Sequence, residues 1–458
     1  MNNNEEIRKQ IIKNLVKKRK EKHISQNELA KLMNIQTSNL SRIESGKQNI
    51  TLDTFLDYCN YLGSDPVDIV ADTSFVYTAN NKDYCLKIYD DILIEFEYRD
   101  DSSTAITKIN EKLRHLLPLD LKLNDEGLAQ WLSNRIVPSN RRFAEEILKT
   151  YNLSFDNKKA IIDVCLGLSL NDSYWVVPKD FNGTFKRYNL YENPLDEILE
   201  FVAYTGHVYA NNNRKFTTSP EFTTGGMLRK AWHREEDGTL YLYKTGSEGY
   251  SNAGKEPYSE YLAYEIAQKM GLNCVKYDLV KYKGYLATKC EIFTNIDTSY
   301  VPIGRIVTSG GLEACIDYYD SLGQEFSNEI RSMLVFDALI YNEDRHFGNF
   351  GVLRDNKTGE VFAPAPIFDN GLSLFCYATN EKYEEDGTFR KYALTRRPPY
   401  DMSYTELCKK YMTTYQRAQL RKMINFKFDR SISKEFGSKR LEAIEEQIQY
   451  RVNELLNL

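Results

Sequence analysis

Residues 333–371 constrain this chain most, because they string three oxygen-bearing side chains along one apolar helix and one hairpin. Residues 333–341 read as a buried helix that ends at Asn342, and Asp344 follows in a polar turn. Asn349 stands five residues after Asp344. Residues 350–353 and 360–368 read as strands joined by Asn356-Lys357-Thr358-Gly359, a turn sequence suited to a hairpin. A hairpin brings its open ends together, so Asn349 and Asp369 are expected near each other, beside Asp344.

Phosphoryl transfer asks for a carboxylate that orients the attacking hydroxyl and takes its proton, and for hard oxygens that hold Mg²⁺ against the phosphates. Asp344 suits the first role, and Asn349 and Asp369 suit the second. Asp344 and Asn349 have the separation of the base Asp and the metal-binding Asn in the kinase catalytic loop, and Asp369-Asn370-Gly371 takes the place of Asp-Phe-Gly. Upstream, Thr223-Thr224-Gly225-Gly226 is a flexible turn before an expected strand at 227–233. Glycines there let backbone N–H groups approach phosphates. Asp237-Gly238 turns the chain into a second strand, 239–244, whose last residue, Lys244, is placed to reach the α/β-phosphates of ATP. Pro257 marks a helix start, and Glu260, or alternatively Glu265, is available to pair with Lys244.

The N-terminus follows a different rhythm. Arg8, Lys9, Lys13, Lys17, Lys18, Arg19, Lys20 and Lys22 crowd a first helix that breaks at Lys22-His23. Ser25 and Glu28 make a capping box for a short helix at 26–33 that turns at Asn34. A second short helix at 37–45 stops at Gly46, and a further one begins at Thr51-Leu52, with Leu52, Phe55, Leu56 and Cys59 on one face. Leu29, Leu32, Leu40 and Ile43 are the expected core. Two short helices joined by a tight turn within a five-helix set form the arrangement that lays its second helix in the DNA major groove.

Residues 25–63 resemble the Cro/repressor (Xre-type) family over the whole unit. The resemblance implies double-stranded operator DNA as a partner, with Gln36, Thr37, Ser38, Asn39 and Ser41 facing the groove. Gln26 would cap a phosphate, and Arg42 and Lys47 would add backbone contacts. Use of the same fold for protein contact or dimerisation is the alternative.

From about Tyr77 onward the chain resembles HipA-type serine/threonine kinases, a family related to phosphatidylinositol-kinase-like folds. The resemblance is carried by SPEFTTGGMLRK, YLYK, PYSEYLAYEIAQKMGL, NEDRHFGN and APIFDNG. It implies ATP and Mg²⁺ as cofactors, Asp344 as the catalytic aspartate, His346 as the loop histidine, and Asn349 and Asp369 as metal ligands. Lys244 would contact ATP, and Gly225, Gly226 and Lys230 would belong to the phosphate loop. Thr223, with Ser219 and Thr224 as neighbours, takes the position at which the family can autophosphorylate. Where the family commonly has GNxDxHxKN, this chain reads YNEDRHFGN, without the first glycine or the lysine before the asparagine. The acceptor, a protein, this chain itself, a lipid or a small molecule, stays open.

The expected architecture is multidomain, with an all-α helix-turn-helix domain at 1–71 and a mixed α/β connector and N-terminal kinase subdomain at 72–205. An α+β, bilobal kinase-like domain with a mostly helical C-terminal lobe would occupy 206–458. Strands are expected over 72–101, and helical patterns dominate 104–205. A length of 458 residues with 42% hydrophobic residues allows a large core without disulfide or metal staples. The eight cysteines stand singly, with no CxxC, which argues for reduced thiols and against a zinc site. No apolar run approaches bilayer length and the polar start resembles no signal peptide, so a cytoplasmic, bacterial protein is expected. A net charge of −5 argues against a wholesale nucleic-acid coat and leaves DNA contact to the basic N-terminal unit. The functional expectation is a DNA-binding protein kinase of toxin–antitoxin or transcriptional type, possible as a homodimer. The rivals are a regulator whose kinase-like part only senses nucleotide or dimerises, and a lipid or small-molecule kinase.

Overall fold

The structure, a computed structural model, describes residues 3–64, 66, 69, 82–208, 217–249, 252–384 and 388–458. The chain divides into two compact units, one of residues 1–82 with 178–184 and one of residues 83–177 with 185–458. The expected boundary at Ala71 and Asp72, and most of the expected fifth helix of the first unit, lie outside the described residues.

The first unit contains α1 (Asn3–Glu21), α2 (Gln26–Leu32), α3 (Thr37–Glu44) and α4 (Leu52–Tyr61). Both halves of the Ser25/Glu28 capping box form, and Thr51 caps α4. His23, Asn34 and Gly46 take left-handed backbone, each two residues after the last residue of its helix. Leu15, Leu29, Ala30, Leu40, Phe55, Tyr58, Cys59 and Leu62 fill the core, and Ile43 is buried. Leu32, expected inside, is 51% exposed, because Leu29, Ala30 and Met33 already define the inner face of a two-turn helix. Leu52 and Leu56 are likewise exposed, since α4 turns Phe55, Tyr58 and Cys59 inward instead.

Arg19 is not part of the solvated basic face; it is buried, and its Nε and Nη2 donate to both oxygens of Glu44 at 2.8 and 2.7 Å. Tyr58 Oη and Gln26 Nε2 donate to the same carboxylate, at 2.6 and 2.7 Å. One carboxylate on α3 therefore ties α1, α2 and α4 together. Burial pushes the Glu44 carboxyl up, but Arg19, Gln26 and Tyr58 outweigh it and hold the group below its ordinary range. A depressed folded-state value gives stability that is complete above the ordinary carboxylate range and lost as pH falls through the folded value. Amide protection at Leu29 and Leu40 is thus expected to drop as pH is lowered below about 4, the ordinary Glu value. Glu44→Gln should be poorly protected already at neutral pH; equal acid sensitivity in wild type and variant would refute the linkage.

The second unit opens with a four-stranded antiparallel sheet of order β3-β2-β1-β4, formed by β1 (Asp83–Ile88), β2 (Asp91–Tyr98), β3 (Thr104–Ile109) and β4 (Tyr174–Pro178). Tyr89 and Asp90 make the two-residue turn between β1 and β2, with Ile88 paired to Asp91. β3 and β4 lie inside the region expected to be mainly helical. β3 is a short edge strand, and β4 (YWVVP) is buried on both faces, so it lacks the alternation that marks half-exposed strands. A second sheet has order β5-β6-β8-β7, from β5 (Lys230–Arg234), β6 (Leu240–Thr245), β7 (Asp278–Tyr282) and β8 (Tyr285–Glu291). β5 begins three residues later than expected because the chain from Gly225 to Arg229 stays a loop, with Met227 69% exposed.

β10 (Gly351–Asp355) and β11 (Val361–Pro364) form the expected hairpin, and β9 (Thr298–Pro302) adds to the other side of β10. Asp355 Oδ1 accepts from the Lys357 and Thr358 N–H groups, which closes the turn. Helix Gln324–Ile340 precedes the β10–β11 hairpin, and residues 332–340 of it are all buried. Helices Tyr404–Tyr411, Thr414–Arg421 and Ser438–Leu456 pack in the same apolar cluster, so the C-terminal part is mainly helical. No disulfide joins the described cysteines. No helix among the described residues is long and apolar enough to cross a membrane.

Candidate functional site

The strand carrying Lys244 is central in its sheet, paired with Lys230 on β5 and Thr288 on β8. That position buries the lysine stem and aims its ammonium at helix Glu256–Met270. Lys244 Nζ donates to Glu260 Oε1 at 2.8 Å and forms a short ion pair with Asp369. Glu265 is engaged elsewhere, accepting from the Asp429 N–H, so Glu260 is the lysine's partner. Glu260 Oε2 accepts from the Asn370 N–H at 2.9 Å. One glutamate thus fixes both the lysine and the Asp369-Asn370-Gly371 turn. Burial works against the charge on Lys244, but Asp369 and Glu260 hold it well above the usual lysine range. Burial and the Lys244 charge push Lys230 down to about 8.

The glycine loop lies over Lys230. Gly226 has φ +96°, a backbone conformation that favours glycine, and its Cα faces Lys230 Nζ. Arg141 clamps the loop's base: it pairs with buried Glu221 and donates to the Thr224 carbonyl at 3.1 Å. Glu221 Oε1 also accepts from the Trp232 N–H at 2.8 Å. Thr223 Oγ1 donates to the Leu168 carbonyl and Thr224 Oγ1 to the Pro220 carbonyl, whereas Ser219 is buried. Gly225 and Gly226 remain exposed.

Residues 342–349 form a loop braced from within. Asp344 N–H donates to Asn342 Oδ1, His346 N–H to the Asp344 carbonyl, and Asn349 Nδ2 to the same carbonyl at 3.0 Å. With its amide nitrogen committed, Asn349 keeps Oδ1 without a hydrogen bond from any described residue. His346 is exposed, and its Nδ1 accepts from the Gly348 N–H at 3.0 Å. The Asp344 side chain is partly buried; burial raises its pKa, His346 opposes, and Asp369 adds to the rise. Asp369 goes the other way: burial raises it, but Lys244 and Lys230 hold it well below the usual range. Two neighbouring carboxylates are thereby pushed apart, one toward proton acceptance and one toward permanent charge. Asp369 has left-handed backbone (φ +55°), with its N–H donating to Tyr277 Oη at 3.0 Å.

The residue that joins the loop to the turn went unread in the sequence. Arg345 is fully buried. It pairs with Asp337 through Nε and Nη2 at 2.9 and 3.0 Å, and donates to the Asn349 and Phe368 carbonyls and to Asn370 Oδ1. Its one guanidinium brings the ends of the β10–β11 hairpin together. The available signals were an Asp inside an apolar helix and an Arg between Asp344 and His346.

Among the described residues no group of three or more His, Cys, Asp or Glu side chains is arranged for a metal. Asp369 and Asn349 offer two oxygens, which suits Mg²⁺, a cation held by one or two protein ligands with phosphates and water supplying the rest.

On the first unit, Gln36, Ser38, Asn39, Ser41, Arg42 and Lys47 are exposed, while Leu40 and Ile43 of the same helix are buried. Gln36 stands at the start of α3 without capping it, and Ser38 Oγ lies 3.5 Å from its Oε1. Thr37 is half-buried and donates to Asn27 Oδ1 at 2.8 Å. Gln26 gives one amide hydrogen to Glu44 and retains its oxygen and second N–H.

Residues 15–69 match the helix-turn-helix family model. An alignment 132 positions long, covering 26% of this chain, is 30% identical to the serine/threonine-protein kinase CtkA of Helicobacter pylori (strain J99 / ATCC 700824). The match spans 40% of that protein. Among solved structures, the H. pylori proinflammatory kinase CtkA aligns at TM-score 0.37 and 19% identity, over 51% of this chain and 94% of that one. The Shewanella oneidensis MR-1 toxin–antitoxin HipA, HipB and operator DNA complex aligns at TM-score 0.46 and 13% identity, over 82% of this chain and 99% of that one.

Proposed function

We propose that this chain is an ATP- and Mg²⁺-dependent serine/threonine protein kinase of HipA type, joined in one polypeptide to a sequence-specific DNA-binding module. It would act in the bacterial cytoplasm as a toxin–antitoxin-like or transcriptional regulator. The observation that carries the reading is the Lys244–Glu260–Asp369 arrangement next to Asp344. Lys244, Lys230 and the backbone of Thr223, Gly225 and Gly226 would hold the phosphates. Asp369 and Asn349 would hold Mg²⁺, which supplies charge neutralisation for the transferred group when bound. Asp344 would orient an acceptor hydroxyl and take its proton, and His346 would brace the loop through Gly348. The serine/threonine specificity is drawn from the likeness to CtkA. The division at 1–71, 72–205 and 206–458 is part of the same proposal.

A second reading, nucleotide sensing without transfer, is favoured by the direct Lys244–Asp369 pair, which occupies an oxygen a cation would use. Labelled γ-phosphate of ATP separates the two. Phosphate appearing on protein with Mg²⁺ supports the kinase; bound but unturned nucleotide supports the sensor.

DNA binding and transfer should separate by mutation. Gln36→Ala with Ser38→Ala is expected to abolish preference for the operator while leaving ATP turnover intact, since base contacts are worth about 1–3 kcal/mol each. Wild-type affinity should fall with salt at a log–log slope of roughly −0.9 per neutralised phosphate. Unchanged operator preference in the double variant, or a salt-independent affinity, would mean that α3 does not read DNA.

A further inference from the structure

Segment 394–400 (LTRRPPY) runs along the loop that carries Asp344. Arg396 Nη1 pairs with Glu343 Oε2 at 3.3 Å, and the Arg397 backbone lies near enough to the same carboxylate to favour its charge. Three residues on, Tyr400 Oη donates to the Arg345 carbonyl, and the Tyr400 and Phe347 rings stack at 5.9 Å. The segment is therefore pinned on both sides of Asp344 in sequence, at Glu343 and at Arg345–Phe347.

What it presents outward is cationic. Arg397 is exposed, and its Nη1 donates to its own neighbours' carbonyls, Leu394 and Arg396, each at 2.9 Å. Those bonds set the guanidinium's direction without neutralising it, and among the described residues no carboxylate pairs with it. Glu406 senses its charge from farther away, but the Glu406 carboxylate is occupied capping Ser403. Lys391 is exposed nearby in the sequence, and Leu394 leaves 50% of its surface to solvent between the cations. A guanidinium held in place by carbonyls, with its remaining N–H groups turned out, is preorganised for a carboxylate fork.

We infer that Arg397, with Leu394 beside it, is a docking subsite for the acceptor: an acidic peptide segment whose carboxylates flank the hydroxyl presented to Asp344. The inference rests on the protein-kinase reading. Charge complementarity selects an anion. The half-exposed Leu394 side chain beside the guanidinium adds an apolar contact, which suits a mixed acidic and apolar peptide better than a run of phosphates.

Two fluorescent synthetic peptides test it, identical around one serine and flanked by Asp/Glu in one and Lys/Arg in the other. Binding is followed by anisotropy with a non-hydrolysable ATP analogue and Mg²⁺, so the result does not depend on turnover. The full chain is expected to prefer the acidic peptide, with the preference falling as salt rises. Arg397→Glu should weaken acidic-peptide binding by about tenfold or more, because attraction becomes repulsion. Arg397→Lys should recover part of it. Nucleotide binding, read by thermal shift, should be the same in all three proteins, which certifies their folding. Equal affinity for the two peptides, or a preference that survives Arg397→Glu, overturns the inference. So does a DNA duplex that displaces the acidic peptide from wild type and binds Arg397→Glu less well, because nucleic acid is then the occupant. Absence of phosphate transfer would count against the kinase reading alone, since binding is measured separately.

Discussion

Asp344→Asn is expected to slow phosphate transfer by about 10²- to 10⁴-fold, the usual contribution of a positioned proton acceptor, with nucleotide binding unchanged. The amide keeps the size of the carboxylate and leaves the loop intact, because the Asp344 backbone, not its side chain, receives the His346 and Asn349 hydrogen bonds. Asp369→Ala should act at a different stage. It removes the carboxylate that Lys244 and Lys230 keep ionised, and with it the stronger of the two candidate oxygens for Mg²⁺. Nucleotide affinity should then fall in the presence of Mg²⁺ and change little in its absence. Calorimetric titration with ATP, with and without Mg²⁺, beside single-turnover transfer assays, separates the two effects. Equal transfer by wild type and Asp344→Asn would remove Asp344 as the proton acceptor and leave nucleotide sensing as the better account.

Local signals in the sequence read well because their partners are a few residues away. The Ser25/Glu28 box, the left-handed stops at Asn34 and Gly46, and the turns at Asp237-Gly238 and residues 356–359 each involve atoms within about one turn of chain. A glutamate partner for Lys244 on the helix marked by Pro257 was also legible, as Glu260 or Glu265, and the fold selects Glu260. What stayed hidden was non-local. Arg19 looked like one more cation of a basic helix, and only the folded unit brings Glu44, 25 residues away, to it. Arg141 and Glu221 are 80 residues apart, yet they clamp the base of the glycine loop. β4 escaped because burial on both faces erases the period-two pattern, and Leu32 and Leu52 were misplaced because a short helix needs only part of its apolar residues inside. Apolar identity alone does not say which face a two-turn helix buries.

Arg345→Met is expected to cost about 3–5 kcal/mol of stability, because it leaves Asp337 buried without its counter-charge. Asn342 Nδ2 still donates to Asp337 Oδ1, but one neutral hydrogen bond does not replace a bidentate guanidinium. All three tryptophans, Trp131, Trp175 and Trp232, lie in the same unit as Arg345, so urea unfolding followed by their fluorescence reports on that unit alone. The double variant Arg345→Met with Asp337→Leu removes the orphaned charge and should recover a large part of the loss, since apolar replacements of buried pairs are often nearly neutral. Activity should not recover with it. The Asn349 and Phe368 carbonyls and Asn370 Oδ1 would still lack their donor, so the ends of the hairpin that present Asn349 and Asp369 lose their common tie. Arg345→Lys tests the same point with the charge retained, because one ammonium with three donors cannot reach partners arranged around a planar fork. Stability regained together with full transfer activity in the double variant would show that Arg345 serves the fold only. Stability regained without activity makes it the positioning residue that holds the two candidate metal ligands in register with Asp344.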